Sequence, residues 1–371
     1  MLGLGGIRSA ALLQLAERGA KVCGFDQHVV PHEYGSSHGT LRVIRKAYFE
    51  HPDYVPLLNR AYELWDAFDQ RAGGGLFVKN GLILSGPPES ASIRGLEACY
   101  AAHDLPHEEL DAASANQQFA PYRTPEDHAV FYDPEGGYLR VENCVAHSLE
   151  LAKAAGAEIH FGEQVETWES GGLMACVVTD QETYFADHLI LAQGAWSELF
   201  LEEIGIKVSV TRKMQVWYGA EGLDGVTGDS FPCFAGETDY GFFYGFPPVG
   251  ADGLKIAEHT GGRRLRTPED LKRDIVPEDE TDLLRFLGDY FPKLHPHRTR
   301  HSACLYTNTE DGDFIIDRHP EHESVVFAAG LSGHGYKFAP VIAEALTQLA
   351  LDGETMLPIG FLGTQRFFAQ D

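Results

Sequence analysis

The sequence predicts a protein of the α/β class, α+β overall, in which a parallel-sheet domain is assembled from separate stretches of the chain. Short apolar strands that lead through glycines into a helix occur near both ends of the chain and in its middle. Between them, polar and apolar side chains alternate in residues 213–218, as in a strand. Residues 240–246 and 254–259 predict a hairpin around residues 247–253. We therefore expect an antiparallel-sheet domain inserted into the parallel-sheet domain.

The length of the chain fits this two-domain organisation. Its 371 residues exceed the roughly 150 residues of one typical domain. The apolar share of 44% and the charged share of 23% are ordinary for globular proteins and argue against long disorder. The predicted boundaries assign residues 1–77, 138–209 and 312–371 to the parallel-sheet domain and residues 78–137 and 210–311 to the inserted domain.

The first element of the parallel-sheet domain is a glycine turn that opens a helix. Gly3, Gly5 and Gly6 precede a run of strong helix formers, and Gly19 follows it as a helix-ending residue. Residues 21–26 then predict a buried strand that ends in a carboxylate. This order of glycine turn, helix, strand and acid is typical of the Rossmann-like βαβ unit that binds dinucleotides.

Two positions depart from the dinucleotide-binding pattern. Only Met1 and Leu2 precede Gly3, so we expect the first strand of the unit to be missing. Arg8 stands where the third glycine of the motif lets the helix pack closely on its strand, so the arginine must point elsewhere or displace the helix. A truncated chain that no longer holds a dinucleotide is therefore one alternative.

The later elements follow from apolar spacing. Helical periodicity predicts helices over 54–68, over 148–155 and from about 339 onward, and short apolar runs predict strands at 158–161, 188–192 and 324–330. The last strand enters the glycine-rich segment 330–335, whose backbone N–H groups can approach a ligand closely. We expect the helix after this segment to place its N-terminus, and hence positive partial charge, beside that ligand.

The charge balance excludes several classes of partner. Lys and Arg number 29 against 55 Asp and Glu, which gives a net charge of −26 that repels nucleic acid and anionic lipid. No apolar run approaches the roughly 20 residues of a membrane span, and no secretory signal is visible. The six cysteines lack CxxC spacing, so we expect no zinc site, reduced thiols and a cytoplasmic location.

Six blocks of sequence carry a resemblance to a known family. They are GSSHGTLRVIRKAY at 35–48, YGFP at 244–247, GLKIAEHT at 253–260, ACLYT at 303–307, DFIID at 313–317 and GLSGHGYKF at 330–338. In this order they resemble the monomeric sarcosine oxidase and N-methyltryptophan oxidase family of the D-amino-acid-oxidase-like flavoproteins. With the glycine turn, the resemblance covers residue 3 to about residue 350.

The resemblance implies an FAD-dependent oxidase that works as a monomer. Its partners are a small amino-acid substrate and O₂, and the flavin is joined covalently to Cys304. The reaction oxidises the C–N bond of an N-methyl amino acid such as sarcosine, and it yields an imine, then formaldehyde, and hydrogen peroxide. The chain departs from the family pattern at Ser37 and Leu41, which affects the detailed geometry around the flavin.

The resemblance also assigns the site residues. It places Lys255 as the oxygen-activating cation, Arg42, Tyr244 and His259 beside the reacting groups, and Arg45 and Lys337 on the substrate carboxylate, with Tyr244 also in the substrate site. The predicted cofactor-binding residues are Gly3, Gly5, Gly6, Asp26, Ser36, His38, Arg42, Cys304, Gly330, Ser332, Gly333, His334, Gly335 and Lys337.

Local patterns leave alternatives open at these positions. Asp26 lies where a carboxylate binds ribose hydroxyls, or it is an exposed acid at a strand end. Arg42 and Arg45 have the spacing of one helical turn and suit carboxylate binding, or they pair with surface acids. Lys255 and His259 share a strand face about 13 Å apart and border one cavity, or they lie on a solvated edge.

Two alternatives to the N-methyl amino acid oxidase remain open at this stage. One is an oxidase of the same fold that acts on D-amino acids or on cyclic imino acids such as pipecolate. The other is a truncated, flavin-deficient protein without activity, which acts, if at all, by binding. The sequence does not identify the substrate side chain, because the shape of the pocket depends on the fold.

Overall fold

The computed structural model describes residues 3–172 and 174–368. The expected absence of a first strand concerns Met1 and Leu2, which lie outside the described residues. Within the described part, the chain forms a mixed α/β structure with parallel and antiparallel sheets, which confirms the predicted fold class. The domain boundaries stay a prediction.

Eight α-helices and twenty strands are found in the described residues. The helices are α1 (Gly6–Glu17), α2 (Val55–Arg71), α3 (Ala91–Ala102), α4 (Ala112–Gln118), α5 (Val141–Ala154), α6 (Glu198–Glu203), α7 (Glu278–Tyr290) and α8 (Ala339–Asp352). The strands are β1 (Cys23–Asp26), β2 (Leu41–Ile44), β3 (Phe77–Val78), β4 (Leu82–Gly86), β5 (Glu108–Leu110), β6 (Ala129–Asp133), β7 (Gly137–Arg140), β8 (Glu158–Phe161), β9 (Val165–Ser170), β10 (Ala175–Thr179), β11 (Thr183–Ala186), β12 (Leu189–Leu191), β13 (Ser209–Tyr218), β14 (Cys233–Thr238), β15 (Gly241–Phe246), β16 (Leu254–Glu258), β17 (Arg263–Arg264), β18 (Arg298–Asn308), β19 (Ile315–Arg318) and β20 (Val325–Ala329).

Parallel pairing holds together the part of the fold that begins with the glycine turn. Strand β1 pairs in parallel with β8, and β12 pairs in parallel with β20, whose other neighbour is the antiparallel β19. Helix α1 packs against α5 and α8, and their apolar faces meet in one core cluster. Helix α1 ends before Gly19, which takes φ +80, so the predicted helix end is confirmed.

A larger sheet of nine strands forms the second part of the fold. Its order among the described residues is β17-β13-β16-β15-β14-β4-β6-β5, with β18 on β13. The pairings in this sheet are antiparallel, as predicted for the inserted domain, except that of β4 with β14, which is parallel. A parallel pair requires a long connection, and residues 87–232 between these two strands supply it.

Two smaller sheets complete the described strands. Strands β9, β10 and β11 form an antiparallel sheet, and β2 and β3 flank β7. In residues 3–172 and 174–368, helices that combine the length and apolarity of a membrane span are absent. The same residues contain no cluster of three or more His, Cys, Asp or Glu side chains suited to a metal ion.

Candidate active site

A large cavity of about 1300 Å³ runs between the glycine turn, strand β18 and the segment 330–335. It is formed where the N-terminus of α1, the ends of β1 and β20 and the loop before β2 converge. Eleven of the predicted cofactor-binding residues line it: Gly3, Gly5, Gly6, Asp26, Ser36, Arg42, Cys304, Gly330, Ser332, Gly333 and Gly335. His38, His334 and Lys337 are not among its lining residues.

Asp26 lies at the end of β1 beside the glycine turn. Its carboxylate accepts hydrogen bonds from the backbone N–H groups of Leu4 at 2.8 Å and His28 at 2.9 Å, and its Oδ1 lies 3.2 Å from His32 Nε2. Burial opposes ionisation, but these hydrogen bonds outweigh it and lower the pKa of Asp26. With 7% of its surface exposed, Asp26 is not the exposed strand-end acid of the alternative interpretation.

Arg42 and Cys304 meet at another part of the same cavity. Arg42 Nη2 lies 3.8 Å from the Cys304 sulfur and donates to the Ser36 carbonyl at 2.9 Å. Arg42 Nη1 donates to the side-chain oxygen of Gln215 at 3.1 Å. Burial alone would lower the pKa of Arg42, but the surrounding acidic groups, led by Cys304, raise it. The guanidinium is therefore a fixed positive charge beside Cys304.

The two arginines do not share a helical turn, contrary to the spacing argument. Arg42 belongs to strand β2 and Arg45 follows that strand directly. Strand β2 pairs with β7, in which Leu139 lies opposite Arg42. This pairing between distant segments overrides the local spacing, and side chains on a strand alternate between its faces.

The segment 330–335 borders the large cavity, and its backbone takes conformations that few residue types adopt. Gly333 has φ +79, and a Cβ atom there would lie 2.1 Å from the Tyr306 ring. Ser332 has φ +45 and is held by its N–H, which donates to the Thr307 carbonyl at 2.9 Å. The helix predicted from about residue 339 is confirmed, because α8 begins at Ala339 after a 3₁₀ turn, Tyr336–Phe338.

A second, smaller cavity of about 70 Å³ adjoins the first. It shares Arg42, Gly333 and Tyr336 with the large cavity, so the two meet at these residues. Its other lining residues come from both parts of the fold: Val43, Arg45, Phe49, Glu50, Leu82, Leu84, Ala235, Phe242, Tyr244, His259, His334 and Lys337. Both predicted carboxylate-binding residues therefore face it.

Arg45 has a carboxylate partner in this structure that the sequence analysis missed. Its Nη2 lies 2.7 Å from both carboxylate oxygens of Glu50, and Nη1 donates to the Ala47 carbonyl at 2.6 Å. The guanidinium also lies 4.4 Å from the ring centre of Tyr48 and 4.2 Å from that of Phe49. Burial opposes the ionisation of Glu50, but Arg45 and nearby cations lower its pKa to about 2. The sequence indicates this ion pair only through the closeness of the two residues, since Glu50 lies five positions after Arg45.

Lys337 lines the small cavity, in surroundings that lower its pKa. Its Nζ donates to the His334 carbonyl at 2.8 Å and lies 3.4 Å from the Tyr48 hydroxyl. Burial and the charge of Arg45 lower the pKa of Lys337 to about 7, although Glu50 opposes the shift. The cationic form of Lys337 therefore titrates near neutral pH.

Two histidines of the small cavity are neutral near pH 7. Burial lowers the pKa of His259 to about 4 and that of His334 to about 3, and in both cases Glu50 acts in the opposite direction. His334 Nδ1 is hydrogen-bonded to the Tyr48 hydroxyl. Neither ring adds a positive charge to the cavity, so its cationic lining residues are Arg45, Lys337 and Arg42, the last of which also lines the large cavity.

Lys255 is buried rather than exposed at a sheet edge. Strand β16, which carries it, lies between β13 and β15, and only 1% of Lys255 is exposed. Its Nζ donates to the carbonyls of Gly39 at 2.5 Å and Leu41 at 2.8 Å. Burial and the charge of Arg42 lower its pKa well below the ordinary value. Lys255 is not among the lining residues of either cavity, unlike His259.

The remaining predicted residues lie close to this centre. The Tyr244 hydroxyl lies 3.4 Å from that of Tyr306, and burial raises the pKa of both phenols. His38 is fully buried, with Nδ1 3.2 Å from the Ser302 hydroxyl, and it lines neither cavity. Tyr306 and Glu50 are site residues that the sequence does not predict. No local pattern distinguishes Tyr306 from other core aromatic residues.

The large cavity suits FAD in shape and chemistry. A glycine-lined helix N-terminus suits a diphosphate, and a buried carboxylate at the end of β1 suits ribose hydroxyls. Gly333 leaves room beside Tyr306 that a side chain would fill, and Arg42 supplies positive charge near Cys304. The residues present therefore fit the cofactor that the resemblance implies.

Comparisons with known proteins identify the family. The family described as FAD dependent oxidoreductase (DAO) matches residues 2–349. The monomeric sarcosine oxidase of Streptomyces avermitilis is 36% identical over 100% of this chain and 97% of its own. The N-methyl-L-tryptophan oxidase of Salmonella typhi is 34% identical over 95% of this chain and 94% of its own.

Solved structures show the same fold. NikD, described as an unusual amino acid oxidase essential for nikkomycin biosynthesis, has a TM-score of 0.86 at 25% identity and covers 98% of this chain and 95% of its own. L-proline dehydrogenase from P. horikoshii has a TM-score of 0.86 at 21% identity, with 99% of this chain and 96% of its own covered. The predicted resemblance is confirmed, and the chain belongs to the DAO family of FAD-dependent oxidoreductases.

Proposed function

We propose that the chain is an FAD-dependent oxidase of small N-methyl amino acids such as sarcosine. One observation carries the proposal: the small cavity presents Arg45 and Lys337 and meets the large, FAD-compatible cavity at Arg42 and Gly333. A carboxylate held by the two cations would place the amine of an amino acid near the junction of the cavities. The match to sarcosine and N-methyltryptophan oxidases supports the same chemistry.

The size of the small cavity favours a small substrate. The small cavity measures only about 70 Å³, against about 1300 Å³ for the large cavity. That corresponds to a handful of heavy atoms, which suits sarcosine better than a substrate with an indole ring. The apolar part of the wall, formed by Leu82, Leu84 and Phe242, suits the methyl group of the substrate.

The charges around the cavity support both binding and reactivity. The planar guanidinium of Arg45 can bind a carboxylate through two N–H groups, although the substrate must share or displace Glu50. The positive charges of Arg45 and protonated Lys337 also disfavour the protonated, positively charged form of the substrate amine, so they lower the pKa of that amine. The amine is thereby kept in the neutral form, whose lone pair is required for oxidation.

The chemistry of the bound cofactor completes the reaction. FAD, when bound, accepts the two electrons released by oxidation of the C–N bond and passes them to O₂, which leaves as hydrogen peroxide. The resulting imine adds water and separates into the primary amino acid and formaldehyde. The chain's own residues bind and orient the substrate and, through the buried aromatic walls, limit water around the reacting bond.

We also propose that the flavin is covalently attached to Cys304. Cys304 lines the large cavity, is a buried free thiol and has its sulfur 3.8 Å from Arg42 Nη2. We assign to Lys255 the role of the cation that stabilises the negative charge formed when O₂ is reduced. Its position beside Arg42 supports this assignment, since Nζ donates to the carbonyls of Gly39 and Leu41. Burial lowers the pKa of Lys255, and the negative charge that forms on O₂ favours its protonated form.

The remaining parts of the proposal concern assembly and location. We propose a monomer, because the matched sarcosine oxidases are named as monomeric. We propose a cytoplasmic location, because the buried cysteines Cys99, Cys144, Cys233 and Cys304 are free thiols, as expected in a reducing compartment.

The test is an oxygen-dependent assay of the purified protein. Hydrogen peroxide and formaldehyde are measured with sarcosine, N-methyltryptophan, D-alanine, D-proline and, as an amine without a carboxylate, dimethylamine. We expect sarcosine to be preferred and both products to appear in equal amounts. Peroxide from D-alanine or D-proline without formaldehyde would replace the proposal with the other amino- or imino-acid oxidase.

A matched pair of arginine variants tests the carboxylate contact. Arg45→Ala should cost roughly 2–5 kcal/mol of sarcosine binding, because it removes a buried charge partner, and should abolish the preference for sarcosine over dimethylamine. The control is Arg18→Ala, an exposed arginine paired with Asp352 far from both cavities. Unchanged sarcosine affinity in Arg45→Ala would contradict the assignment.

A further inference from the structure

Arg8 occupies the position that the dinucleotide-binding motif reserves for its third glycine. It is the third residue of helix α1, directly after the glycine turn. The side chain does not extend into solvent, since only 7% of Arg8 is exposed. Its guanidinium lies beside Gly3, where a Cβ atom would lie 2.3 Å from Arg8 Nη2. Arg8 thus belongs to the wall of the large cavity at the glycine turn.

Two of the three guanidinium nitrogens of Arg8 have no hydrogen-bond partner in the described part of the chain. Its Nε and Nη1 atoms are buried and find no hydrogen-bond acceptor among residues 3–172 and 174–368. Asp26, the acid whose charge acts on Arg8, already accepts hydrogen bonds from Leu4 and His28. Burial lowers the pKa of Arg8 to about 9, and attraction by Asp26 offsets only part of that shift. A buried guanidinium in this state is stabilised only when an anion joins it.

The surroundings of Arg8 specify the kind of anion. The first turn of a twelve-residue helix presents backbone N–H groups without intrahelical acceptors and a positive partial charge. The glycines of the turn allow a ligand to approach the backbone closely, and a guanidinium matches the paired oxygens of a phosphate. Because the chain carries a net charge of −26, a phosphate ligand gains from a local cation.

We propose that Arg8 donates hydrogen bonds to the pyrophosphate of the bound FAD. This inference rests on FAD binding in the large cavity, as in the proposed function. A glycine at this position has no side chain to make the contact, so the contact depends on the arginine that replaces it. Arg8 is thereby a cofactor-binding residue, and its positive charge attracts a phosphate that the net negative charge of the chain otherwise repels.

The experiment measures flavin affinity rather than activity. Cys304→Ser protein, in which the flavin is exchangeable, is freed of flavin and titrated with FAD and with riboflavin, which lacks both phosphates. The variants Arg8→Met, which keeps the length without the charge, and Arg8→Gly, which restores the glycine of the motif, are compared in this background. Arg18→Met, on the exposed end of α1, is the matched control.

The expected pattern has three parts. Both Arg8 variants bind FAD about tenfold or more weakly, since a charge-assisted contact is lost, and their FAD affinity depends less on salt. Riboflavin affinity changes little in the Arg8 variants, and Arg18→Met leaves both affinities unchanged. In the absence of flavin, Arg8→Met raises the melting temperature, because it removes an unpaired buried charge.

Three results would overturn the inference. FAD affinity of both Arg8 variants within twofold of the parent would show that Arg8 does not contact the phosphates. Equal weakening of FAD and riboflavin, with a lower melting temperature, would show that Arg8 only fills space beside Gly3. Equal affinity of the parent protein for riboflavin and FAD would show that the phosphates, and hence Arg8, contribute nothing to binding. A protein that binds no flavin at all would instead refute the proposed function.

Discussion

The charge state of Lys337 should control how the site binds carboxylates between pH 6 and pH 9. The pKa of Lys337 is lowered from its ordinary 10.5 to about 7, so the free protein holds Lys337 charged below pH 7 and neutral above it. A carboxylate bound between Arg45 and Lys337 favours the charged form and raises that pKa again. Above pH 7, binding of a carboxylate must therefore be accompanied by uptake of a proton.

The size of the effect follows from the titration. Each pH unit above 7 reduces the charged fraction of Lys337 about tenfold, which corresponds to about 1.4 kcal/mol of binding free energy per unit. The number of protons taken up per bound carboxylate should rise from about 0.1 at pH 6 to about 0.9 at pH 8, as long as Lys337 is charged in the bound state. Acetate is the appropriate probe, because it carries a carboxylate and has no amine that titrates in this range.

Isothermal titration calorimetry in buffers of different ionisation enthalpy measures both quantities. Lys337→Met should bind acetate weakly and with little pH dependence. Lys213→Met is the matched control, because Lys213 is also buried, with a pKa lowered to about 8 by burial, but lies outside the lining of the small cavity. An acetate affinity of the parent that is flat from pH 6 to pH 9, without proton uptake, would refute the reasoning.

Two further predictions concern the flavin. Acid precipitation should leave the yellow colour with the parent protein, whereas Cys304→Ser should release it to the supernatant, because the covalent bond is lost; free flavin from the parent would contradict attachment at Cys304. Lys255→Met should slow re-oxidation of the reduced flavin by ~10²-fold or more, because a preorganised charge is removed, while anaerobic reduction by substrate changes much less. Stopped-flow measurement of the two half-reactions tests this, with Lys213→Met as control, and a re-oxidation rate within a few-fold of the parent would exclude Lys255.

Local patterns were sufficient to predict the elements that depend on neighbouring residues. Helix α1, its end before Gly19 and the strand that ends at Asp26 follow from glycines and apolar spacing, and the structure contains all three. The hairpin of β15 and β16 was predicted for the same reason. These elements are determined within short windows, in which propensity and periodicity act directly.

Features that depend on distant pairing were not predictable in the same way. The spacing of Arg42 and Arg45 suits a helical turn equally well, and only pairing of β2 with β7 makes this segment a strand. Lys255 is typical of an exposed edge, and the neighbours β13 and β15 bury it. Glu50 becomes a partner of Arg45 only through the course of the loop that follows β2. Family resemblance located Arg42, Arg45 and Lys255 in the chain, but the fold determines their contacts.

The packing of α1 against α8 also determines when the molecule can finish folding. About 320 residues separate the end of α1 from the start of α8, so during synthesis α1 waits roughly a quarter of a minute to a minute for this partner. Its apolar face, including Leu12 and Leu15, has no place to be buried beside α8 in that interval. Helix α5 can cover part of α1 earlier, but the surface that packs on α8 stays exposed for most of the synthesis. The yield of the protein in cells should therefore depend on chaperones that bind such apolar segments.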